Sequence, residues 1–260
     1  MKAWSLTDRG RVRKQNQDAC RFLTFPLGDG TEVTAAVVCD GMGGAKAGNV
    51  ASEMAVDTFM EELQKDFYSF NVADVQILCA VKTANRLIHE RAISDPDYEG
   101  MGTTLVAAVT DGTQVIIANV GDSRCYQVRD GAIRQLTKDH SVVEDMVDRG
   151  EIERADAWKH PRRNYITRAL GAEEQVDCDL FFQEVLPGDV LLLCTDGLSG
   201  VVNPQELLFE IVYGGELDTA VRRMVDIALD WGAPDNVTAL LLASEQTQQS
   251  DSEDGHGNER

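Results

Sequence analysis

The sequence predicts an α+β fold in which an antiparallel β sandwich is covered by helices. Ten apolar or alternating segments have the length and period of strands, and two Asp-Gly pairs join consecutive segments. Long helical patterns stand in blocks between groups of strands instead of alternating with single strands. Because strictly alternating units are typical of parallel sheets, this order favours antiparallel sheets with the helices packed outside.

The predicted strands are short and closely spaced. Asp111-Gly112 and Asp130-Gly131 each separate two of them and have the composition of two-residue hairpin turns. The strand limits are approximately 2–6, 19–25, 33–39, 104–110, 114–120, 123–128, 132–136, 178–185, 189–194 and 236–243.

The predicted helices occupy about 45–66, 71–93 and 216–231. In the second, Ile77 and Val81 begin an apolar stripe at helical spacing. Such a stripe indicates a helix that packs against a sheet on one side and faces water on the other.

Two segments do not follow these patterns. Residues 141–165 are rich in charge and are interrupted by Gly150 and Pro161, so we expect a mobile insertion with one short helix near 142–148. Residues 245–260 are polar and lack apolar periodicity, which predicts a disordered tail after a folded domain at 1–244.

The composition excludes several classes of partner and location. A net charge of −20 disfavours nucleic acid and anionic membrane surfaces as partners. No apolar run approaches the roughly 20 residues that span a bilayer, and the opening residues lack a signal-peptide pattern. The six cysteines show no metal-binding spacing, which predicts free thiols in a reducing compartment and a cytoplasmic protein.

Three carboxylates stand where predicted strands meet other elements. Asp40 and Asp196 each follow an apolar strand and precede a glycine, and Asp235 directly precedes the last strand. Unlike the hairpin Asp-Gly pairs, those at Asp40 and Asp196 are not followed by a predicted strand. Carboxylates held on rigid strand ends, with glycines that allow close approach, predict a site for a hard cation.

Other polar phrases have two interpretations when taken singly. Arg11, Arg13 and Lys14 form either a phosphate clamp or a solvated turn. The GMGG phrase at 41–44 is either a phosphate-binding loop, although it lacks the lysine of a P-loop, or a glycine turn between strand and helix. His140 and His160 are each more typical of a surface histidine or a hydrogen-bonded core histidine than of a catalytic base.

Taken together and in order, these phrases resemble those of the metal-dependent protein serine/threonine phosphatases of the PP2C (PPM) family, in their compact bacterial form. The resemblance extends over about residues 1–243. The matching phrases are Arg13 with QD at 17–18, VVCDGMGG at 37–44, GTT at 102–104, NVGDSR at 119–124, LTKDH at 136–140, ITRALG at 166–171, CTDG at 194–197 and PDNV at 234–237.

The resemblance implies a four-layer α/β/β/α sandwich, with two antiparallel β-sheets flanked by helices and a metal site in a cleft at one end. It implies hydrolysis of phosphoserine and phosphothreonine in proteins, by in-line attack of a metal-bridging water on phosphorus without a phosphoenzyme. The implied partners are phosphorylated proteins and a counteracting serine/threonine kinase, and the chain is expected to be a monomer.

The resemblance also implies the metal ligands. By position, Asp40 bridges two Mn²⁺ or Mg²⁺ ions, and the carbonyl of Gly41 is a further ligand. Asp196 and Asp235 match the remaining carboxylates of the first ion. Asp122 matches a carboxylate that, with Asp196, holds a third and weaker ion in bacterial members.

The remaining roles concern substrate and water. Arg13 matches the phosphate-binding arginine, Asp18 matches an acceptor for metal-bound water, and residues 141–165 correspond to the flap beside the cleft. Two positions depart from the animal pattern, since Gln17 replaces a glutamate and Met42 replaces a histidine. A thioether has no proton to donate to the leaving group, so another donor is required.

Two other functions compete with this interpretation. A phosphoprotein-binding scaffold on the same fold would have lost at least one of Asp40, Asp196 and Asp235, and all three are present. A hydrolase of small phosphoesters would have a deep closed pocket, whereas an open cleft suits peptides.

Overall fold

The computed structural model describes residues 1–43 and 47–244, and its strands form two antiparallel sheets. One sheet has the strand order β1-β11-β10-β7-β8 and the other the order β2-β3-β5-β6-β9, with the short β4 beside β3. These labels denote β1 (Lys2–Asp8), β2 (Asp18–Pro26), β3 (Glu32–Met42), β4 (Gly102–Thr103), β5 (Leu105–Thr110), β6 (Gln114–Val120), β7 (Arg124–Arg129), β8 (Ala132–Gln135), β9 (Asp179–Glu184), β10 (Val190–Cys194) and β11 (Val237–Ala243).

Helices cover the outer face of each sheet. The helices of the described residues, including two in the flap, are α1 (Ala47–Asp66), α2 (Ala73–Ser94), α3 (Val142–Asp148), α4 (Arg154–Ala157), α5 (Asp196–Ser199), α6 (Pro204–Tyr213) and α7 (Leu217–Asp230). Helices α1 and α2 pack on the sheet that contains β3, whereas α5, α6 and α7 pack on the sheet that contains β11. The predicted four-layer α/β/β/α sandwich is therefore confirmed.

The core of the molecule is divided by the two sheets. Along β3, Val37 and Cys39 face the core beneath α1 and α2, whereas Ala36 and Val38 face the other sheet. A strand buried on both faces needs apolar residues at every position. This explains why the sequence there is a continuous apolar run instead of an alternating one.

The predicted elements agree closely with the structure. All ten predicted strands, both Asp-Gly hairpins, the three long helices and the short helix near 142–148 are present. Most boundaries differ by one or two residues, and the largest difference is at β3, which continues through Asp40 to Met42. It continues because Gly41 pairs with Thr103 and Met42 with Gly102 in the short strand β4, which the sequence analysis did not predict.

Helix α6 was also not predicted. Its amino terminus is a capping box, in which the Asn203 side chain accepts from the backbone of Glu206 and the Glu206 side chain accepts from the backbone of Asn203. Pro204 stands in the first turn, where its missing N–H costs nothing. The signal was therefore present in the sequence, in a helix of only ten residues.

Two predictions fall wholly or partly on residues outside the described ranges. They are the polar tail at 245–260 and the last glycine of the phrase at 41–44. Residues 141–165 contain α3 and the additional short helix α4. Within the described ranges, the structure contains no helix with both the length and the apolar character needed to cross a membrane.

The antiparallel register brings alternate strand starts and strand ends to one edge of the sandwich. Asp18, the first residue of β2, lies directly opposite Asp40 near the end of β3. In the other sheet, Cys194 at the end of β10 lies opposite Ala239 near the start of β11. Polar residues that flank these strands therefore meet at the same end of the molecule.

Candidate active site

Five aspartates meet at this end of the sandwich, and Asp40 interacts electrostatically with the other four. Asp18 begins β2, Asp122 lies between β6 and β7, Asp196 begins α5, and Asp235 precedes β11. They come from both sheets, so the site exists only where the two sheets are packed together. All five carboxylates proposed from sequence as ligands or water acceptors are thus brought together.

The cluster holds more negative charge than its surroundings compensate. Burial, together with repulsion from neighbouring carboxylates, raises the pKa of Asp40 and of Asp122 well above the usual range. Burial raises the pKa of Asp18 to about 7, although hydrogen bonds from threonines oppose the shift. Burial and then repulsion from Asp235 raise the pKa of Asp196, whose carboxyl also hydrogen-bonds that of Asp40. Bound cations would relieve this repulsion.

Two oxygens of the cluster have no hydrogen-bond donor. Oδ1 of Asp18 and Oδ1 of Asp196 are buried and without a partner in the described part of the chain. A buried carboxylate oxygen without a donor is unfavourable unless a cation lies beside it. Because carboxylate oxygens are the ligands that Mg²⁺ and Mn²⁺ prefer, the residues present fit such ions.

The carboxylates of the cluster are close together but do not yet have the geometry of a metal site. Within residues 1–43 and 47–244, no three histidine, cysteine, aspartate or glutamate side chains already have a metal-binding arrangement. One reason is Asp235, whose Oδ2 accepts from Nη2 of Arg13 at 2.6 Å and whose Oδ1 accepts from the backbone N–H of Asn236 at 2.9 Å. Both oxygens already accept a hydrogen bond, so an ion at Asp235 would share this carboxylate with Arg13.

Asp18 is held by two threonine hydroxyls. Its Oδ2 accepts from Oγ1 of Thr195 at 2.9 Å and from Oγ1 of Thr238 at 2.7 Å. Thr195 immediately precedes Asp196, and Thr238 lies near the start of β11. These bonds tie a residue of one sheet to β11 of the other and to the residue that follows β10, and they leave Oδ1 of Asp18 without a donor.

Thr104, the last residue of the GTT phrase at 102–104, connects two of the carboxylates, a role that the sequence analysis did not assign to it. Its Oγ1 accepts the backbone N–H of Asp40 at 2.9 Å and lies 2.7 Å from Oγ of Ser123, the residue after Asp122. The backbone N–H of Thr104 donates to the carbonyl of Asp40 at 2.9 Å. One buried residue therefore sets the relative positions of Asp40 and Asp122.

His140 is a hydrogen-bonded core histidine, as the sequence favoured. Its Nδ1 accepts the backbone N–H of Gly121 at 3.1 Å, which places the proton of the neutral ring on Nε2, 3.3 Å from Oδ2 of Asp179. Burial lowers the pKa of His140, which favours this neutral form. The backbone carbonyl of His140 accepts the N–H of Thr167 at 2.8 Å. His140 thus joins the turn before Asp122 to the base of the flap.

An ion pair lies behind the carboxylates. Nε and Nη2 of Arg124 donate to both oxygens of Asp139, and Nη1 donates to the hydroxyl of Tyr126 at 3.0 Å. The charge of Arg124 acts against the raised pKa values of Asp122 and Asp196. Both partners lie in phrases that carried the family resemblance, but their pairing across 15 residues of sequence has no signal in the sequence.

The loop that carries Arg13 is fixed by Asn236. The Asn236 side chain accepts the backbone N–H of Gln17 at 2.8 Å and donates to the carbonyls of Arg9 and Gln15. These three bonds hold both ends of the loop, so that Arg13 lies beside Asp235. Half of the Arg13 side chain is exposed, which leaves the guanidinium accessible to a ligand.

The glycines after Asp40 and Asp196 are required by close backbone packing, as predicted. A Cβ on Gly41 would clash with the carbonyl of Gly48, and a Cβ on Gly197 would clash with the carbonyl of Asn236. The backbone N–H of Gly41 also donates to the carbonyl of Gln17 at 3.0 Å. Each glycine therefore allows the segment that carries the carboxylate to pack closely against a neighbouring part of the site.

Two cavities lie on other faces of the molecule. One is lined by residues 113–116 and 182–184 of the β6–β9 pair, and the other lies beside His89 and Ile93 of α2. None of the five aspartates lines either cavity. We assign neither cavity a part in the chemistry of the cluster.

Comparison with known proteins identifies relatives of the whole domain. The sequence profile of the protein phosphatase 2C family matches residues 8–219. The serine/threonine phosphatase stp of Listeria monocytogenes is 39% identical over 244 residues, which cover 93% of this chain and 95% of that protein.

Solved structures show the same fold. The serine/threonine phosphatase Stp1 from Staphylococcus aureus superimposes with a TM-score of 0.87 at 36% identity, covering 94% of this chain and 95% of the other. The catalytic domain of the serine/threonine protein phosphatase PstP, in complex with two manganese ions, gives a TM-score of 0.79 at 33% identity over 92% of this chain and 96% of the other.

Proposed function

Since this chain belongs to the protein phosphatase 2C family, we propose that it hydrolyses phosphoserine and phosphothreonine in proteins and requires Mn²⁺ or Mg²⁺ to do so. The observation that carries the proposal is the cluster of five buried or half-buried aspartates with two donor-free oxygens. A site built of carboxylates alone repels a phosphate ester, so cations are needed before an anionic substrate can enter.

The ligand assignment is the one that the family resemblance implies, and the clustering of the carboxylates supports it. Asp40 is the central residue, since it interacts with all the others, and Asp196 hydrogen-bonds to it. We assign two ions to Asp40, Asp196, Asp235 and the carbonyl of Gly41, and a third and weaker ion to Asp122 with Asp196. Ions at these positions would activate a water molecule at neutral pH and neutralise phosphoryl charge.

The other residues of the site are suited to binding the phosphoryl group and orienting a water molecule. Arg13 offers a half-exposed guanidinium at the edge of the cluster, suited to paired hydrogen bonds with phosphoryl oxygens. Oδ1 of Asp18 has no hydrogen-bond donor in the described part of the chain, so it can accept a hydrogen bond from a water molecule near Asp40. Thr195 and Thr238 hold Asp18 in this orientation.

The cysteines support direct attack by water instead of a covalent phosphoenzyme. Burial raises the pKa of five of the six thiols, including Cys194 near Asp196, whose pKa is raised to about 12. A thiol nucleophile needs the opposite shift. The sixth, Cys79, is exposed on α2.

A cytoplasmic location and a kinase partner belong to the same proposal. All six cysteines are free thiols, which suits a reducing compartment. A phosphatase of this kind needs phosphorylated proteins as substrates, and a serine/threonine kinase acting on the same proteins would supply them.

The proposal is tested with a phosphothreonine peptide and purified protein. We expect phosphate release with Mn²⁺, loss of release with EDTA, and recovery when Mn²⁺ is restored. Phosphate release that is insensitive to EDTA would contradict the metal assignment. No release despite measured Mn²⁺ binding would instead favour a phosphoprotein-binding domain.

Arg13→Ala is expected to raise the KM for p-nitrophenyl phosphate by about tenfold or more, because a charge-assisted hydrogen bond to the phosphate is lost. The effect on kcat should be smaller. The matched control is Arg9→Ala in the same loop, since Arg9 contributes only its backbone carbonyl to Asn236. An unchanged KM for Arg13→Ala would support the alternative of a solvated turn.

A further inference from the structure

Two basic segments are anchored beside the carboxylate cluster of this strongly acidic chain. The loop at 9–17 carries the exposed side chains of Arg11 and Lys14 on either side of Arg13. The flap carries the exposed side chains of Lys159, Arg162 and Arg163. We call these five residues the basic rim.

The cations of the basic rim are not used to stabilise the fold by ion pairing. None of the five forms an ion pair with a carboxylate in the described part of the chain, although acidic residues outnumber basic ones by 44 to 24. Neighbouring arginines are paired: Arg154 of the flap with Glu144 at 2.7 Å, and Arg168, just after the flap, with Asp179 at 2.8 Å. The basic rim is therefore free to bind an external anion.

Both segments are anchored at the cluster itself. The backbone N–H of Arg11 donates to the carbonyl of Ala233 at 3.0 Å, two residues before Asp235. The flap is closed at its base by the pairing of Ser141 with Ile166, next to His140, which holds the turn before Asp122. The loop is thus attached beside Asp235, and the base of the flap lies near Asp122.

The flap also presents aromatic surface among its cations. The ring of Trp158 is 62% exposed, Nζ of Lys159 lies 4.8 Å from its centre, and Nη1 of Arg163 donates to its backbone carbonyl at 2.7 Å. An exposed tryptophan set among cations suits contact with a peptide better than contact with a small phosphoester.

We propose that the basic rim binds acidic side chains on either side of the phosphorylated residue of a protein substrate, an inference that rests on the proposed function. A peptide advances about 3.3 Å per extended residue, so residues close to the phosphorylated one reach the two segments. The net charge of −20 does not prevent this, since at physiological salt charges act over only about 8 Å. The charge of the basic rim, and not the net charge of the chain, therefore determines the preference for residues beside the phosphorylated one.

The test uses phosphothreonine peptides of equal length whose flanking residues are Glu, Gln or Lys. With Mn²⁺ present, we expect kcat/KM for the Glu peptide to exceed that for the Lys peptide by about tenfold. The ratio should fall when salt is raised from about 50 to about 300 mM, because exposed charges are screened.

Double variants show whether each basic segment is responsible for the preference for the Glu peptide. Lys159→Gln with Arg162→Gln, or Arg11→Gln with Lys14→Gln, is expected to bring the Glu-to-Lys ratio toward one. The control is Lys65→Gln with Arg222→Gln, two exposed cations on α1 and α7 that also lack an ion-pair partner among the described residues, and it should keep the ratio.

The outcomes separate the two proposals. Equal kcat/KM for the three peptides, or a preference that survives both rim variants, overturns the role of the basic rim and leaves the phosphatase assignment intact. No phosphate release from any peptide or from p-nitrophenyl phosphate overturns the proposed function, and this inference with it.

Discussion

Asp196→Asn is expected to lower kcat/KM toward a phosphothreonine peptide by more than about 100-fold, since even the outer partners of metal ligands cost 10- to 100-fold. Asn has nearly the volume of Asp but lacks its charge, so one ligand is weakened without creating a cavity. Asp196 is also the residue that hydrogen-bonds the central Asp40. The measurement is steady-state hydrolysis at saturating Mn²⁺.

The same substitution should not unfold the protein. Because burial and repulsion from Asp235 disfavour the charge of Asp196, its removal is expected to raise the Tm of protein stripped of divalent ions. The matched control is Asp130→Asn, in which the same Asp-Gly dipeptide forms a hairpin turn, with Asp130 at φ 50°. Asparagine tolerates that conformation, and activity should be unchanged. Full activity in Asp196→Asn would contradict the ligand assignment.

Protein stripped of divalent ions is expected to become more stable as the pH falls from 8 to 5. Burial raises the pKa of Asp18 to about 7, above that of an unfolded aspartate, so between these values the folded state binds more protons. Stability therefore falls as the pH rises through 7, by up to a few kcal/mol. The pKa values of Asp40, Asp122 and Asp196 are raised in the same direction.

The comparison with Mn²⁺ makes this effect measurable. Bound ions stabilise the folded state by mass action and keep the carboxylates ionised, whereas protons compete with them. Thermal unfolding with Mn²⁺ and with EDTA should thus differ most at pH 8, by about 5–10 °C, and least at pH 5. Asp18→Asn should reduce the pH dependence in EDTA. A difference in Tm that is constant across this range would contradict the prediction.

The fold was largely predictable because several of its strands are continuous apolar segments. Segments such as β3, β10 and β11 are buried on both faces, so each is a continuous apolar run that periodicity detects. Helix α6 was not predicted because its ten residues leave Phe209 and Tyr213 exposed, which weakens the contrast between its two faces. Its capping box was the better signal.

The site was predictable only in its carboxylates. Asp40 lies near the end of β3 and Asp196 follows β10, and strand ends meet by topology, so their convergence could be inferred from order along the chain. The residues that position them could not. Thr104 meets Ser123, and Asn236 meets Gln17, only because strands from distant parts of the chain pack in one register. A threonine or asparagine that anchors a loop looks in sequence like any other polar residue.

The carboxylates belong to different halves of the sandwich. Asp40 extends from the sheet of β2 and β3, and Asp196 follows β10 of the other sheet. An ion shared between them, as proposed, would act as a removable cross-link, because the two sheets could separate only if it were released. Binding of the ion and packing of the two sheets against each other would then be thermodynamically linked. A change deep between the sheets, at Val38 or Leu193, would weaken ion affinity without touching a ligand.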